Sequence, residues 1–173
     1  WINGQRDKLI NYEVVLDGSR KRGMADVTLP KIKYATGTMK GAGIGGQVDM
    51  PTLGQTESME IEIKWRTMNG DVVELLAPKT HNMEFRSANQ HYDSATGELV
   101  PEGVVVTAKA LPKEGDIGKL EPASNTDSSN TMEVTYLKVE INNKKKIEID
   151  KFNYIHYVNG TDYMAGVREI LGV

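Results

Sequence analysis

Alternation of apolar and polar residues is the dominant rhythm of this chain. Met59, Ile61, Ile63 and Trp65 alternate with Glu60, Glu62, Lys64 and Arg66. Successive side chains of a strand point to opposite faces, so this stretch is predicted to be a strand with one dry and one wet face. Residues 11–16 and 22–29 flank Asp17-Gly18, a hairpin-turn signature. Residues 99–111 hold the β-rich run 104–110, expected to stop at Pro112. Towards the end, 132–141 and 145–150 read as strands around an Asn142-Asn143 turn, and 154–158 leads out to Asn159-Gly160. The run 131–141 begins in one phase (Met132, Val134, Tyr136) and ends in the other (Leu137, Val139, Ile141). Such a switch predicts a bulge or a change of packing partner.

Helical signal is sparse. Residues 71–76 form a short helix candidate after Asn69-Gly70, stopped by Pro78. A second candidate closes the chain. Thr161 can cap it, Asp162 suits its first turn, and Met164, Val167, Ile170 and Leu171 share one face. Gly172 suits a stop. Gly166 inside it costs about 1 kcal/mol relative to alanine, which predicts a close backbone approach. Two segments are expected to lack regular structure. Residues 115–130 are polar. Residues 37–54 hold six glycines and Pro51, with Met39, Ile44, Val48, Met50 and Leu53 between them. A long loop carrying apolar groups needs somewhere to bury them.

The 173 residues suffice for one domain with a core, and no linker divides them. Hydrophobic content of 39% and charged content of 26% are ordinary for a globular protein. A net charge of −3 argues against a surface that grips nucleic acid through its phosphates. The basic clusters Arg20-Lys21-Arg22 and Lys144-Lys145-Lys146 sit at turns or strand ends, where they read as solvated or edge-protecting. With no cysteine, disulfides, thiolate metal sites and a cysteine nucleophile are excluded. No apolar run approaches the ~20 residues needed to span a bilayer. The start at Trp1 shows no secretory pattern, and the default expectation is a protein made in the cytoplasm.

Gly41-Ala-Gly43-Ile-Gly45-Gly46 matches G-x-G-x-x-G, but Pro51 and further glycine stand where the motif needs a helix. His81 and His91 are ten residues apart, no metal spacing, and read as packing or surface groups. Neither nucleophile–base nor metal patterns emerge, so no catalytic, cofactor or metal residue is assigned. Asn159-Gly160-Thr161 fits a glycosylation sequon, yet a turn and cap explain it. The chain points towards assembly or binding.

Several runs carry a resemblance. Ile147-Glu-Ile-Asp150, Val158-Asn-Gly-Thr-Asp162, Ala165-Gly166, Arg168 and Leu171-Gly172 resemble the C-terminal signature of contractile-tail major tube proteins, found in contractile phages and R-type bacteriocins (tailocins). Leu16-Asp-Gly18, Gly23, Val27 to Lys31, and the 41–46 stretch leading to Val48-Asp-Met50 resemble the same family in the same order. Similarity spans nearly the whole chain; residues 84–130 match poorly.

The resemblance implies a mainly β fold: one tail tube domain over 1–173, a β-sandwich or barrel with a short flanking helix and a C-terminal helix. It implies strands that join those of neighbouring subunits into a continuous hexameric barrel, stacked into a helical tube. Four strands from each of six subunits, about 4.8 Å apart and tilted about 40°, give a backbone diameter on the order of 48 Å. About 40 Å would remain inside, room for duplex DNA to pass without specific binding. The implied partners are a contractile sheath protein, baseplate proteins and a tail terminator, with no cofactor. The implied location is a phage tail or tailocin particle assembled in a bacterium. Lumen-facing residues must be wet, and Glu60, Glu62, Lys64 and Arg66 lead, with Glu133 and Thr135 on a strand expected to pair nearby. Met39, Gly41, Gly43, Ile44, Gly46, Met50 and Leu53 are expected to contact a neighbouring subunit or ring. A type VI secretion tube shares the fold, and the C-terminal signature favours the tail tube over it. A monomeric β-sandwich binding module is the other alternative; it would need exposed aromatics, for which Trp1, Trp65 and Tyr92 are placed.

Overall fold

A computed structural model describes residues 4–21 and 25–173. Trp1, Arg22 and Gly23 lie outside the described residues, as do the side chains of Arg20 and Lys21. The chain runs through strands β1 (Gly4–Leu16), β2 (Ser19–Lys21), β3 (Ala25–Thr28), β4 (Tyr34–Met39), β5 (Val48–Thr56) and β6 (Glu60–Trp65). Helix α1 (Gly70–Glu74) follows. Then come β7 (His81–Asp93), β8 (Glu98–Asp116), β9 (Ser128–Ile141), β10 (Lys144–Asp150), β11 (Ile155–Val158), β12 (Thr161–Asp162) and helix α2 (Ala165–Leu171). Among the described residues the fold is mainly β with two short helices, as the periodicity predicts.

All pairings are antiparallel, and the long sheet has the order β12-β11-β10-β9-β8-β7-β1-β2. β9 is its branch point. Its first half pairs β6, which in turn pairs β3, and its second half pairs β10. β8 runs along the other edge of both halves. The phase switch in β9 is a bulge: Lys109 faces Tyr136 but Ala110 faces Val134, leaving Thr135 as the extra residue. Met132 and Val134 are buried before it and Leu137 after it.

Turn chemistry does what the sequence suggests. Asp17 and Gly18 both have positive φ, as do Asn142 and Asn143, and each pair closes a two-residue hairpin. Asn69 caps α1, its Oδ1 accepting from the Asp71 and Val72 N–H groups. His81 is fully buried, between Asp17 Oδ2 and the Ala77 carbonyl at 3.0 Å each. Burial pushes the Asp17 carboxyl up, but hydrogen bonds from His81 and the Asn82 N–H outweigh it and hold the group below its ordinary value.

The dry face of β6 anchors the core. Met59, Ile61, Ile63 and Trp65 pack with Val72 and Leu75 of the α1 region and with Met83, Phe85, Val106 and Met132. Inside it Asn130 is fully buried, accepting from Trp65 Nε1 at 3.0 Å and donating to the Val72 carbonyl at 3.2 Å.

Four expectations need correction. β8 passes through Pro112 to Asp116. Pairing with β7 ends at Ala110 and the β9 register shifts after Pro112, so the missing N–H falls on a one-sided stretch. Thr161 does not cap α2: Thr161 and Asp162 pair with β11, and Met164 stands at the cap. A Cβ on Gly166 would meet nothing within 4 Å, so close approach is not its reason. Finally, the glycine-rich stretch is not irregular, because β4 and β5 form a two-stranded sheet of their own.

Candidate assembly surfaces

The wet strip is built by register. Glu60, Glu62 and Lys64 point away from the core on β6, opposite the buried Ile61, Ile63 and Trp65. Across β9, Glu60 faces Glu133, Glu62 faces Thr131, and Lys64 faces Ser129. Across β3, Glu62 faces Thr28 and Lys64 faces Asp26. The strip therefore spans several adjacent strands.

Two carboxylates face each other at its centre, an arrangement that costs free energy unless neutralised. Lys113 of β8 answers by pairing with Glu60, and the Ser58 hydroxyl donates to Glu133 at 2.6 Å. That hydrogen bond to Glu60, with the nearby Glu133 and Glu114, raises the Lys113 pKa. Asp26, Ser58 and Lys113 were not among the residues singled out by sequence. Asp26-Val27-Thr28 repeats the same alternation on a smaller scale, but nothing local links Lys113 to Glu60, 53 positions away. Arg66 follows β6, exposed, its carbonyl accepting from the Thr126 N–H at 2.8 Å. Thr135 sits in the bulge and its hydroxyl donates to the Lys109 carbonyl at 3.3 Å. So β6 and β9 bring Glu60, Glu62, Lys64 and Glu133 together, while Arg66 and Thr135 lie at the margins.

The second surface is the β4–β5 hairpin. Gly37 pairs with Met50 and Met39 with Val48, which puts Met39, Val48 and Met50 on one face. The other face is polar, with the Thr38 hydroxyl donating to Asp49 at 3.1 Å. Met39, Val48 and Met50 are 45%, 41% and 48% exposed. Gly41, Gly43 and Gly46, all at positive φ, form the connecting turn. Ile44 in this turn is half-buried and its N–H donates to the Gly41 carbonyl at 3.3 Å. No strand precedes a helix here, which removes the setting a dinucleotide motif needs.

The hairpin is moored at its root to the C-terminal region. Tyr34 Oη lies 3.0 Å from His156 Nε2, the rings meeting edge to face. Gly54, at φ +64, lets Met164 pack where a Cβ would lie 2.1 Å from its sulfur. Burial lowers the pKa of His156, and Asp162 opposes this only in part. Arg168 completes the anchor, donating to Asp162 Oδ2 and to the Tyr154 carbonyl at 2.6 Å each. The Arg168 hydrogen bond holds the Asp162 carboxyl below its ordinary 3.8.

A depressed carboxylate pKa contributes stability above the ordinary value and loses it as pH falls through the folded value. Asp162→Asn is therefore expected to lower Tm near neutral pH by a few degrees, about 1 kcal/mol for a partly screened charge-assisted pair. As pH falls through the folded-state value, which lies below 3.8, the difference from wild type should vanish, while Asp17 keeps its own acid dependence in both proteins. Thermal melts across pH check this; a constant difference down to low pH would refute it.

The described residues thus form an antiparallel sheet branched at the bulged strand β9, with a wet strip on one side and a two-stranded hairpin whose apolar face is half exposed. In fold the chain is similar to one from the sheath-tube complex of the extracellular contractile injection system PVC in its extended state. The TM-score is 0.52 at 17% identity, covering 75% of this chain and 87% of that one. The chain belongs to the family described as phage tail tube protein FII, whose model matches residues 6–172. The tail tube protein of Escherichia phage P2 is 29% identical over 169 residues, 96% of each chain. The resemblance drawn from the C-terminal and glycine-rich runs thus holds, and the protein is a structural component of a tail tube.

Proposed function

We propose that this chain, as one tail tube domain over residues 1–173, is the subunit of the inner tube of a contractile tail. Six copies form a ring, and rings stack around a central channel. The family match over residues 6–172 carries this reading. The strip of Glu60, Glu62, Lys64 and Glu133 lines the channel, with Arg66 and Thr135 at its edge. Its mixed charges let duplex DNA slide past without specific binding. The apolar hairpin face (Met39, Val48, Met50) and its Gly41–Gly46 turn with Ile44 contact the next ring, and Leu53 a neighbouring subunit. A contractile sheath surrounds the tube, with baseplate proteins at one end and a terminator at the other. The subunit performs no catalysis, and the tube is built into a tail particle in the bacterial cell. Among the described residues no helix is long and apolar enough to cross a membrane.

Negative-stain microscopy with light scattering tests the assembly. Rings or tubes are expected, and a monomer at every concentration would overturn it. Trp65 is buried, which removes one of the aromatics a glycan-binding surface would need. Glu62→Lys checks the channel face. The side chain is partly exposed and faces Thr131 and Thr28, so tubes should form with at most a twofold loss of yield. Failure of rings to form would place Glu62 in a subunit interface.

A further inference from the structure

Among the described residues neither strand of the β4–β5 hairpin pairs with the long sheet. A two-stranded sheet is marginal in water, so the hairpin's position depends on the side chains that moor it. A groove of about 480 Å³ lies at its root, lined by Leu53 and Thr56 of β5, Ile155 of β11, and Val167 and Leu171 of α2. Packing at the root is therefore incomplete. Two contacts bridge it: Met164 against Gly54, and Tyr34 against His156.

His156 is 2% exposed and sits opposite the buried Ile149 of β10. Its Nε2 meets Tyr34 Oη, but its Nδ1 is buried with no hydrogen-bond partner among the described residues. The hydroxyl of Thr56, the residue paired with Tyr34 on β5, is buried without one too. A neutral ring tolerates this arrangement and a protonated one does not. Imidazolium has N–H donors on both nitrogens, so protonation would leave a charge and an unanswered donor in a buried site. The groups around the ring cannot answer it. Tyr34 of β4 is engaged at Nε2. Asp162 of β12 is the nearby carboxylate, but its Oδ1 accepts from the His156 and Met164 N–H groups, and its Oδ2 takes Arg168 of α2. Glu148 and Asp150 of β10 flank Ile149 and so point to the other face of the sheet.

We propose that His156 is a proton-operated latch on the β4–β5 hairpin: neutral, it holds the hairpin to the C-terminal region through Tyr34, and on taking a proton it lets the hairpin go. This rests on the tube reading for its consequence. The hairpin carries the apolar face of Met39, Val48 and Met50 that meets the next ring, so its release in mild acid weakens stacking. The direction follows from burial, which holds His156 below its ordinary 6.5 against the opposing pull of Asp162. A histidine kept neutral by docking leaves the hairpin fully held above pH 6.5. The hold weakens as pH falls below 6.5, until the docked-state value is reached. From about pH 7.5 to about pH 5.5 the docking constant should fall by up to about tenfold.

Amide hydrogen exchange reads the released fraction. Residues 48–56 are compared with the core strand β6 in the same unassembled protein, at both pH values, in wild type and in His156→Phe. Phenylalanine keeps a ring in the site and cannot take a proton. The wild-type hairpin should lose about three- to tenfold of its protection relative to β6 in acid, and the variant should lose none. Microscopy should show wild-type tubes shortening at the lower pH while the variant's keep their length. His81 and His91 are present in both proteins, so the difference belongs to position 156. If His156→Phe does not fold, residue-resolved NMR of the wild type decides: His156 should titrate below 6.5, with the Met164 methyl signal moving at the same midpoint. Hairpin protection that keeps step with β6 in the wild type, or a Met164 signal that stays still while His156 titrates, would overturn the latch. A wild type that forms no rings or tubes at either pH would overturn the tube reading, and the exchange and NMR results would still decide the latch.

Discussion

Met50→Asp is expected to stop tube growth while leaving the subunit folded. Met50 shares a hairpin face with Met39 and Val48, and each is close to half exposed within its own chain. A two-stranded sheet is marginal in water unless something covers its apolar face. Full burial of such side chains stabilises by about 1.5–3 kcal/mol each, so covering the exposed half contributes about 1 kcal/mol each. Three of them supply on the order of 3 kcal/mol per subunit, repeated around every ring. An aspartate at the centre of that contact removes one share and buries a charge among apolar side chains, which reverses the sign. Within the isolated subunit the position is exposed, and the substitution should stay within about 0.5 kcal/mol. Ile44→Asp, at a half-buried site in the turn, should shorten tubes less severely. Tube length by microscopy, beside a thermal melt, separates the effects. Full-length tubes from Met50→Asp would remove the hairpin from the ring contact.

The hairpin also shows where sequence runs out. Glycine and proline mark it as a loop by composition, yet Met39 opposite Val48 and Met50 opposite Gly37 make an amphipathic pair of strands. The apolar alternation sits on two short arms, and only their register puts it on one face. β6 is legible because six residues alternate without interruption and the core fills one side completely. The β9 bulge is legible because a phase switch leaves its mark in the residues themselves.

Long-range chemistry is not legible in this way. Lys113 meets Glu60 through the β8–β9–β6 ladder, and Tyr34 meets His156 across 122 positions. Thr161 and Asp162 look like a helix start by local rule, but pairing with β11 takes their backbone and Asp162 turns to Arg168. Close packing against glycine occurs at Gly54 and not at Gly166, because the sulfur that demands it comes from another element. The wet strip stands between these cases. Its β6 half follows from alternation, and its breadth follows from which strands lie alongside.

Asn130→Ala should be the most destabilising single polar substitution in the core. Asn130 is fully buried between β6 and α1, and its amide satisfies the Trp65 indole N–H and the Val72 carbonyl together. Alanine removes both partners at once. Each orphaned buried group costs about 1–3 kcal/mol, so a loss of about 3 kcal/mol is expected. For a chain of this size that lowers Tm by on the order of 10 °C. Asn130→Asp separates the two bonds. Its carboxylate still accepts from Trp65 but cannot donate to Val72, and it buries a charge with no cation among its bonding partners. It should therefore be no better than alanine at neutral pH and should recover part of the loss in acid, where the protonated carboxyl can donate. Neither substitution touches the wet strip or the hairpin, so rings should still form below the lowered Tm. A Tm within 2 °C of wild type for Asn130→Ala would mean that water replaces the amide without cost, and that α1 does not depend on this side chain for its place against β6.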